Sequence, residues 1–399
     1  MLKTTDIGYY KTNKKEIMKR DIVLIVGGFN LPNKNASAIR AISLAKCMKT
    51  IGYHPVIVGV ASELGGGRLW TRIDDIDIFS IGTVENITSD ISYVNDIEAR
   101  FTAVCIHSII AYNYPGGALF KLKKYAEAND IKIAVDITEW YAFSLDGLTL
   151  HGAIVRWFHT NLRMRYLNKR IHNIICTTNY IADYYKGCHT LVIPAIDDTS
   201  FQQEKVNDTQ HINHPHRFFY AGSPGYKFRK DKINDVVKIF EKLHKEGIKY
   251  RFDIYGVSLA EYSQFFETPK VDDDEIVFHG RVSRKEVLAQ LSKSDFSVLL
   301  RPNDRVCRVG FSTKSMEAIS AGIPLIANDV NGDFSLYFSK DMALLCGADD
   351  MSSFYKQLKK ACQMTDEELL QMKLACLENN PFKYNNFISP LREFMHNLK

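Results

Sequence analysis

The chain has 399 residues, of which 46% are hydrophobic and 24% charged, with 51 Lys/Arg against 46 Asp/Glu. This balance excludes a disordered or fibrous chain, the length is too great for one ordinary core and predicts two domains, and a net charge of +5 does not argue for nucleic acid. The eight cysteines are scattered without a Cys-x-x-Cys pair, no apolar stretch reaches the ~20 residues that span a bilayer, and the lysine-rich N-terminus lacks the apolar core of a secretory signal, so reduced thiols and a cytoplasmic protein are expected.

Residues 21–28 read as a buried strand ending in Gly27-Gly28, 36–51 as a helix and 55–60 as the next strand, a βαβ unit of a parallel sheet. Strands at 102–106 and 131–137 flank a helix near 117–129. A long helix is expected over 153–170, then a strand at 172–177, a helix at 179–186 and a strand at 190–194. Residues 198–216 are polar and read as linker. The pattern then restarts, with strands at 217–222, 250–255, 276–279, 296–300, 323–327 and 342–346. Helices are expected at 232–246, 284–293, 313–321, 351–363, 365–378 and 384–397. The expected fold class is therefore α/β, with two doubly wound domains facing across a cleft and ligands at the carboxyl ends of the strands. The domains are expected at 1–200 and 217–380, joined by a linker at 201–216. A C-terminal helix in 381–399 is expected to pack back on the N-terminal domain.

Residues 305–324 carry the most chemistry. A turn at Gly310 leads through Ser312, a good N-cap residue, into a short helix that Gly322 and Pro324 end. Arg308 and Lys314 flank the helix start and Glu317 lies on its first turns. A helix N-terminus offers free N–H groups and partial positive charge to a phosphate, and a carboxylate one turn on can accept from sugar hydroxyls. Together they suggest a nucleotide or nucleotide-sugar.

In this setting Gly310-Phe311-Ser312-Thr313-Lys314, followed by Glu317-Ala318 and Gly322-Ile323-Pro324, resembles the donor-site signature of retaining glycosyltransferases of family 4 (group 1), which have the two-domain, Rossmann-like GT-B fold. Gly27-Gly28 falls where that family has an acceptor-side glycine loop. Ala221-Gly222-Ser223 with Arg229-Lys230-Asp231 resembles its donor-diphosphate segment. Phe278-His279-Gly280-Arg281-Val282 resembles its approach to the nucleotide base. The sequence departs at Val309, where the family usually has the first of two glutamates. That puts the donor sugar in doubt more than the reaction class. The resemblance implies a nucleoside-diphosphate-sugar donor, UDP being the commonest, and a glycan or lipid-linked acceptor. It further implies a retaining transfer of a hexose without cofactor or metal, in cell-surface polysaccharide synthesis. A nucleotide-sugar epimerase or a non-catalytic partner subunit of the same fold are the alternatives.

The donor set is then Gly222, Ser223, Arg229, Lys230, Arg308, Gly310, Phe311, Ser312, Thr313, Lys314 and Glu317. Lys230 and Arg229 would clamp the diphosphate, and Glu317 would accept from the ribose. Asp136 and Glu139, after the strand at 131–137, are the candidates to orient the acceptor hydroxyl or take its proton; a helix cap at Thr138 is the competing reading. On the acceptor side stand Gly27, Gly28, Asn35 and Arg40. Lys230, Glu317, Asp136 and Glu139 form the catalytic set. Asp75-Ile-Asp77 and Asp272-Asp-Asp274 have Asp-x-Asp form but read as solvated loops, so no metal site is assigned. Helix 153–170 mixes Trp157, Phe158 and Tyr166 with Arg156, Arg163, Arg165, Lys169 and Arg170. With six basic and two acidic groups in the first twenty residues, it suggests peripheral contact with an anionic membrane at its inner face.

Overall fold

The computed structural model describes residues 22–31, 36–61, 67–89, 91–101, 105–145, 147–197, 215–228 and 230–399. Most of the expected linker therefore lies outside the described residues, as do Asn35, Arg229 and the basic N-terminus. The chain divides into two compact units, the first comprising Met1–Tyr114 and Ala118–Ala134 and the second Pro115–Gly117 and Val135–Lys399.

In the first unit the order is β1 (Ile22–Asn30), α1 (Ala36–Thr50), β2 (His54–Val60), β3 (Arg68–Ile73), β4 (Ile76–Ile81), α2 (Val84–Ser89), α3 (Tyr93–Arg100), β5 (Ile106–Tyr112) and α4 (Gly116–Ala128), whose first two residues belong to the second unit. β6 (Lys132–Ile137) begins in this unit and ends in the second. The strands lie in the order β3-β4-β2-β1-β5, parallel except for the antiparallel β3–β4 pair. β1 and β2 are almost wholly apolar and buried, as suits the middle of a parallel sheet.

Three expectations are corrected in this unit. Gly27 and Gly28 do not end β1; they lie inside it, where the pairing with β2 shifts register between Val26 and Asn30. A Cβ on Gly27 would come within 2.8 Å of the Phe29 ring and 3.0 Å of Tyr112 Cβ, so glycine serves packing there rather than a turn. β5 starts where the expected strand at 102–106 ends, because Ser108 is fully buried despite its hydroxyl and the apolar run continues through Ala111. The β3–β4 hairpin turns on Asp74 and Asp75, at φ 48° and 62°, and Asp77 is no loop residue but a β4 residue paired with His54 Nε2 at 2.9 Å.

The second unit holds the end of β6 and then α5 (Leu150–Asn161), a π-helical stretch over Leu162–Leu167 and α6 (Asn168–Ile171), one continuous helix in effect. β7 (Asn173–Cys176), α7 (Asn179–Tyr184) and β8 (His189–Val192) follow. Next come β9 (Arg217–Ala221), α8 (Ile233–Lys245), β10 (Arg251–Tyr255), α9 (Leu259–Tyr262), β11 (Ile276–Gly280), α10 (Arg284–Leu291) and β12 (Phe296–Leu299). α11 (Arg305–Val309), α12 (Thr313–Ser320), β13 (Leu325–Asp329), α13 (Asp333–Tyr337), β14 (Ala343–Gly347), α14 (Met351–Cys362), α15 (Asp366–Glu378) and α16 (Asn385–His396) complete the chain.

β9 to β14 form an all-parallel sheet in the order β11-β10-β9-β12-β13-β14. The order reverses between β9 and β12, and the carboxyl ends of those two strands are the expected ligand position of a doubly wound sheet. α8 covers this sheet because Ile233, Val236, Val237, Phe240 and Leu243 recur on one helical face and are all buried. α16 packs by the ring of Phe394, stacked 4.5 Å from His189 on β8.

Candidate functional site

The site grows from the end of β9. Gly222 follows that strand at φ 151°, and a Cβ there would overlap Lys314 Cε and sit 2.8 Å from its Nζ. Glycine is thus required for the Lys314 side chain to cross the end of the sheet. Lys314 forms an ion pair with Asp231, whose carboxylate also accepts from Tyr220 Oη at 2.8 Å. The ammonium lies 5.0 Å from the Tyr220 ring centroid. Burial by itself would raise the pKa of Asp231, but Lys314 foremost, then Arg301 and the Tyr220 hydroxyl, hold it below the usual carboxylate range. Asp231 is therefore a fixed anion that holds Lys314 in place.

Lys230, next to Asp231, has its N–H bonded to Pro224 O at 2.7 Å. Its side chain is exposed, without a partner among the described residues. The Lys314–Asp231 pair therefore fastens the start of α12 to the segment that bears the free cation Lys230. Ser223 is exposed beside Gly222.

α12 starts at Thr313, as the sequence predicts, and Gly322, at φ 74°, ends it. Ser312 occupies the N-cap position, but its hydroxyl makes no capping bond, which corrects its expected role. The N–H groups of Phe311, Ser312, Thr313 and Lys314 consequently have no partner among the described residues. Thr313, Lys314 and Glu317 are the half-exposed positions of the helix, and Met316, Ala318 and Ile319 are buried against the sheet. The Phe311 ring packs against Phe334, Tyr337 and Phe382, so only its backbone is available to a ligand.

Gly310 departs from expectation in a second way. Its φ of −92° is ordinary, and what it needs is room, since a Cβ would lie 3.3 Å from the carbonyl of Thr138. The segment before it is a helix, α11, capped by Asp304 Oδ1 accepting from Cys307 N–H at 2.8 Å. Buried Arg301, just past β12, donates to the carbonyls of Gly310 at 2.7 Å and Cys307 at 3.3 Å, closing the end of α11. Val309 is fully buried, and its carbonyl accepts from Thr177 Oγ1 at 2.9 Å and Thr178 Oγ1 at 3.1 Å. An apolar, closed position stands where the resembled family has an acid. Arg308 is half-buried and its Nε donates to Asn303 Oδ1 at 2.8 Å.

Glu317 accepts from Arg284 Nη1 at 2.7 Å, a partner from α10 that the sequence reading missed. Ser283 caps α10, its hydroxyl accepting from Glu286 N–H at 3.2 Å, and so fixes where Arg284 begins the helix; nothing local in the sequence pairs Arg284 with Glu317. His279 Nε2 donates to the buried Asp253 carboxylate at 2.7 Å, and its ring stacks 4.2 Å from Tyr255.

Asp136, on β6, is fully buried. Glu139 is half-buried, and its carbonyl accepts from Arg163 Nη2 at 3.0 Å. Beside it, buried Trp140 lies 5.0 Å from the Arg305 guanidinium, and Arg305 donates to Tyr141 O at 3.3 Å. Thus the turn after β6, the threonines after β7 and α11 meet at Val309–Gly310. Arg40 is buried in α1. Gly27, Gly28 and Arg40 belong to the first unit and are placed only within it.

Among the described residues, one group has ligand atoms close enough for a metal: His244, Asp272 and Glu275. His244 Nδ1 lies 2.6 Å from Glu275, and Lys249 Nζ lies 3.3 Å from Asp272 and 3.4 Å from Glu275, so a protein cation already serves both acids. Asp272 is therefore an ion-paired residue.

Residues 215–364 match the family model described as Glycosyl transferases group 1. No curated protein sequence matches the chain. Among solved structures, sucrose-phosphate synthase from Thermosynechococcus elongatus is similar at a TM-score of 0.67 and 12% identity, over 95% of this chain and 99% of that one. The pneumococcal O-GlcNAc transferase GtfA, in complex with UDP and GlcNAc, is similar at 0.60 and 11% identity, over 95% and 99%. An E. coli trehalose-6-phosphate protein bound with UDP-2-fluoro glucose is similar at 0.58 and 10% identity, over 94% and 99%. The chain has the GT-B fold, and it is a glycosyltransferase. The part of the chain similar to the group 1 glycosyltransferases is residues 215–364, which hold the second sheet and the helices around it.

Proposed function

We propose that the protein is a retaining hexosyltransferase that moves a sugar from a nucleoside-diphosphate donor, UDP foremost, to a glycan or lipid-linked acceptor in cell-surface polysaccharide synthesis. We place it in the cytoplasm, against the inner face of an anionic membrane. The observation that carries the donor reading is the Lys314–Asp231 pair, which fixes one cation on the first turn of α12 beside N–H groups without a partner among the described residues. Two neighbours of the same fold were solved with UDP or a UDP-sugar, which supports this choice of donor.

In this reading the glycosidic bond to the diphosphate breaks and negative charge grows on the leaving phosphate. Lys314, Lys230 and the N–H groups of residues 311–314 meet that charge, an arrangement preorganised before reaction. The proposal assigns neutralisation to these groups rather than to a divalent ion. Glu317 exchanges its bond with Arg284 for the ribose hydroxyls. Retention follows from attack of the acceptor hydroxyl on the face the donor phosphate leaves, its proton passing to the departing phosphate oxygen, with no protein nucleophile. Asp136 is closed off from solvent in this state, which leaves Glu139 as the better placed acid to orient an acceptor.

Thermal-shift measurements across UDP, GDP and ADP test the donor. UDP should raise the melting temperature of the wild type, and neither Lys314→Met nor Glu317→Ala should respond at the same concentration. No response to any nucleoside diphosphate overturns the reading. Donor turnover with the product read by NMR should give the donor's anomeric configuration and persist in EDTA; inversion, or a loss restored by magnesium or manganese, overturns those parts of it.

A further inference from the structure

α5 turns its apolar stripe outward. Leu150, Ile154, Trp157 and Phe158 recur at the i, i+4, i+7, i+8 spacing of one helix face, which in a globular protein normally faces the core. Here they are 62%, 49%, 46% and 56% exposed, and the buried positions of the helix are Ala153 and Thr160. The loop before α5 adds exposed Phe143, Leu145 and Leu148, and Arg156 Nη2 ties that loop to the helix through Ser144 O at 2.9 Å. Exposed Tyr166 extends the surface, with the Arg170 guanidinium 3.4 Å over its ring.

The charge on this segment is one-sided. Residues 147–182 contain Arg156, Arg163, Arg165, Lys169 and Arg170 and no Asp or Glu. Arg163 is buried, whereas Arg165, Lys169 and Arg170 are exposed. An apolar face bordered by Arg165, Lys169 and Arg170, with Asp146 the one acid in the sequence from Phe143 to Arg170, is complementary to the headgroup and acyl layers of an anionic bilayer.

We infer that the surface from Phe143 to Arg170 seats the enzyme on an anionic lipid bilayer, its aliphatic and aromatic side chains entering the headgroup–acyl boundary and its arginines and lysine meeting lipid phosphates. This rests on the membrane part of the proposed function and not on the transfer reaction.

Full-length protein is sedimented with vesicles of phosphatidylcholine alone and of phosphatidylcholine mixed with phosphatidylglycerol. Pelleting is expected only with the anionic vesicles, falling with added salt and accompanied by a blue shift of tryptophan emission. Two variants, Trp157→Ser/Phe158→Ser and Arg165→Glu/Lys169→Glu, should each weaken it at least tenfold while keeping the wild-type thermal response to UDP, which shows them folded. Binding that survives both variants overturns this surface but leaves the membrane reading standing. No binding to either vesicle, or equal binding to both, overturns both. Light scattering that shows a wild-type dimer made monomeric by Trp157→Ser/Phe158→Ser, without loss of pelleting, assigns the face to a second copy of the chain and overturns the inference.

Discussion

Asp231 makes Lys314 a positioned cation rather than a mobile surface charge. Because Asp231 is almost fully buried, removing its partner leaves an uncompensated anion in the interior, a change that typically costs ~3 kcal/mol or more. Lys314→Met should therefore lower stability by about that much, and Lys314→Met/Asp231→Asn should recover most of it without restoring UDP binding. Urea denaturation combined with the UDP thermal shift separates the two effects. If Lys314→Met is as stable as the wild type, Asp231 does not depend on Lys314 as described.

A second buried carboxylate gives a pH prediction. Asp295 accepts from Arg217 N–H at 2.9 Å and from Lys373 Nζ at 2.8 Å, with His216 Nδ1 at 3.7 Å. Burial opposes its charge, but His216 and Lys373 outweigh burial and hold its pKa far below the ordinary ~3.9. A depressed carboxylate contributes stability that is complete above the unfolded pKa and lost as pH falls below it. His216 moves the other way. Burial lowers its pKa, and Asp295, the Met364 carbonyl and the charge of Asp366 together more than compensate, so its contribution is present below ~6.5 and fades as pH rises through the raised value. Asp295→Asn should then lose most stability near pH 6, somewhat less at pH 8, and progressively less below about pH 4. Urea denaturation at the three pH values checks this; a deficit unchanged at pH 3 contradicts it.

At the scale of elements, the site depends on how closely strand ends and helices approach. Gly222 and Gly256 are the tightest points: a Cβ on Gly256, at φ 92°, would lie 2.5 Å from the carbonyl of Gly222. Gly222→Ala must displace Lys314, a flexible side chain, and should cost ~1–2 kcal/mol of stability while removing the response to UDP. Gly256→Ala meets backbone instead and should cost more stability than Gly222→Ala. The reverse order in a urea series would count against this account of the turn. At this scale the sequence was legible where periodicity is strong: β9, β10 and α8, α12 and its stop at Gly322, α14 to α16. It was not legible for the β3–β4 hairpin, whose charged β3 pairs only along one edge, or for α11, a five-residue helix held by Asp304 and Arg301 rather than by any repeat.

For the whole molecule, the cysteine pattern and the fold agree. All eight thiols are free. Burial pushes those of Cys47, Cys346, Cys362 and Cys376 up to about 12 and that of Cys307 to about 11, so none of these offers a thiolate at neutral pH. Cys105 alone is exposed. Native protein should show one rapidly reacting thiol with Ellman's reagent, lost in Cys105→Ser, and a melting temperature indifferent to reductant. More than one rapid thiol would mean that the described burial opens in solution. No described helix is long and apolar enough to cross a membrane, and the lipid contact proposed above is accordingly a surface one.

What the sequence determined by itself was local and periodic: two α/β halves, a helix start with a lysine and a glutamate in phase on its outer face, and a reaction class read from that helix. Only the tertiary structure decided what those groups touch. Asp231 lies 83 positions from Lys314 and Arg284 lies 33 from Glu317, so no spacing rule could pair them. Val309, by contrast, is adjacent in sequence to the site and yet withdrawn from it, because the threonines after β7 claim its carbonyl and the core claims its side chain. The same holds for α5, whose stripe of apolar residues is visible in sequence but whose outward direction is set by the opposite face, where Ala153 and Thr160 are buried. Periodicity specifies a face; what the face meets depends on chain that is distant in sequence.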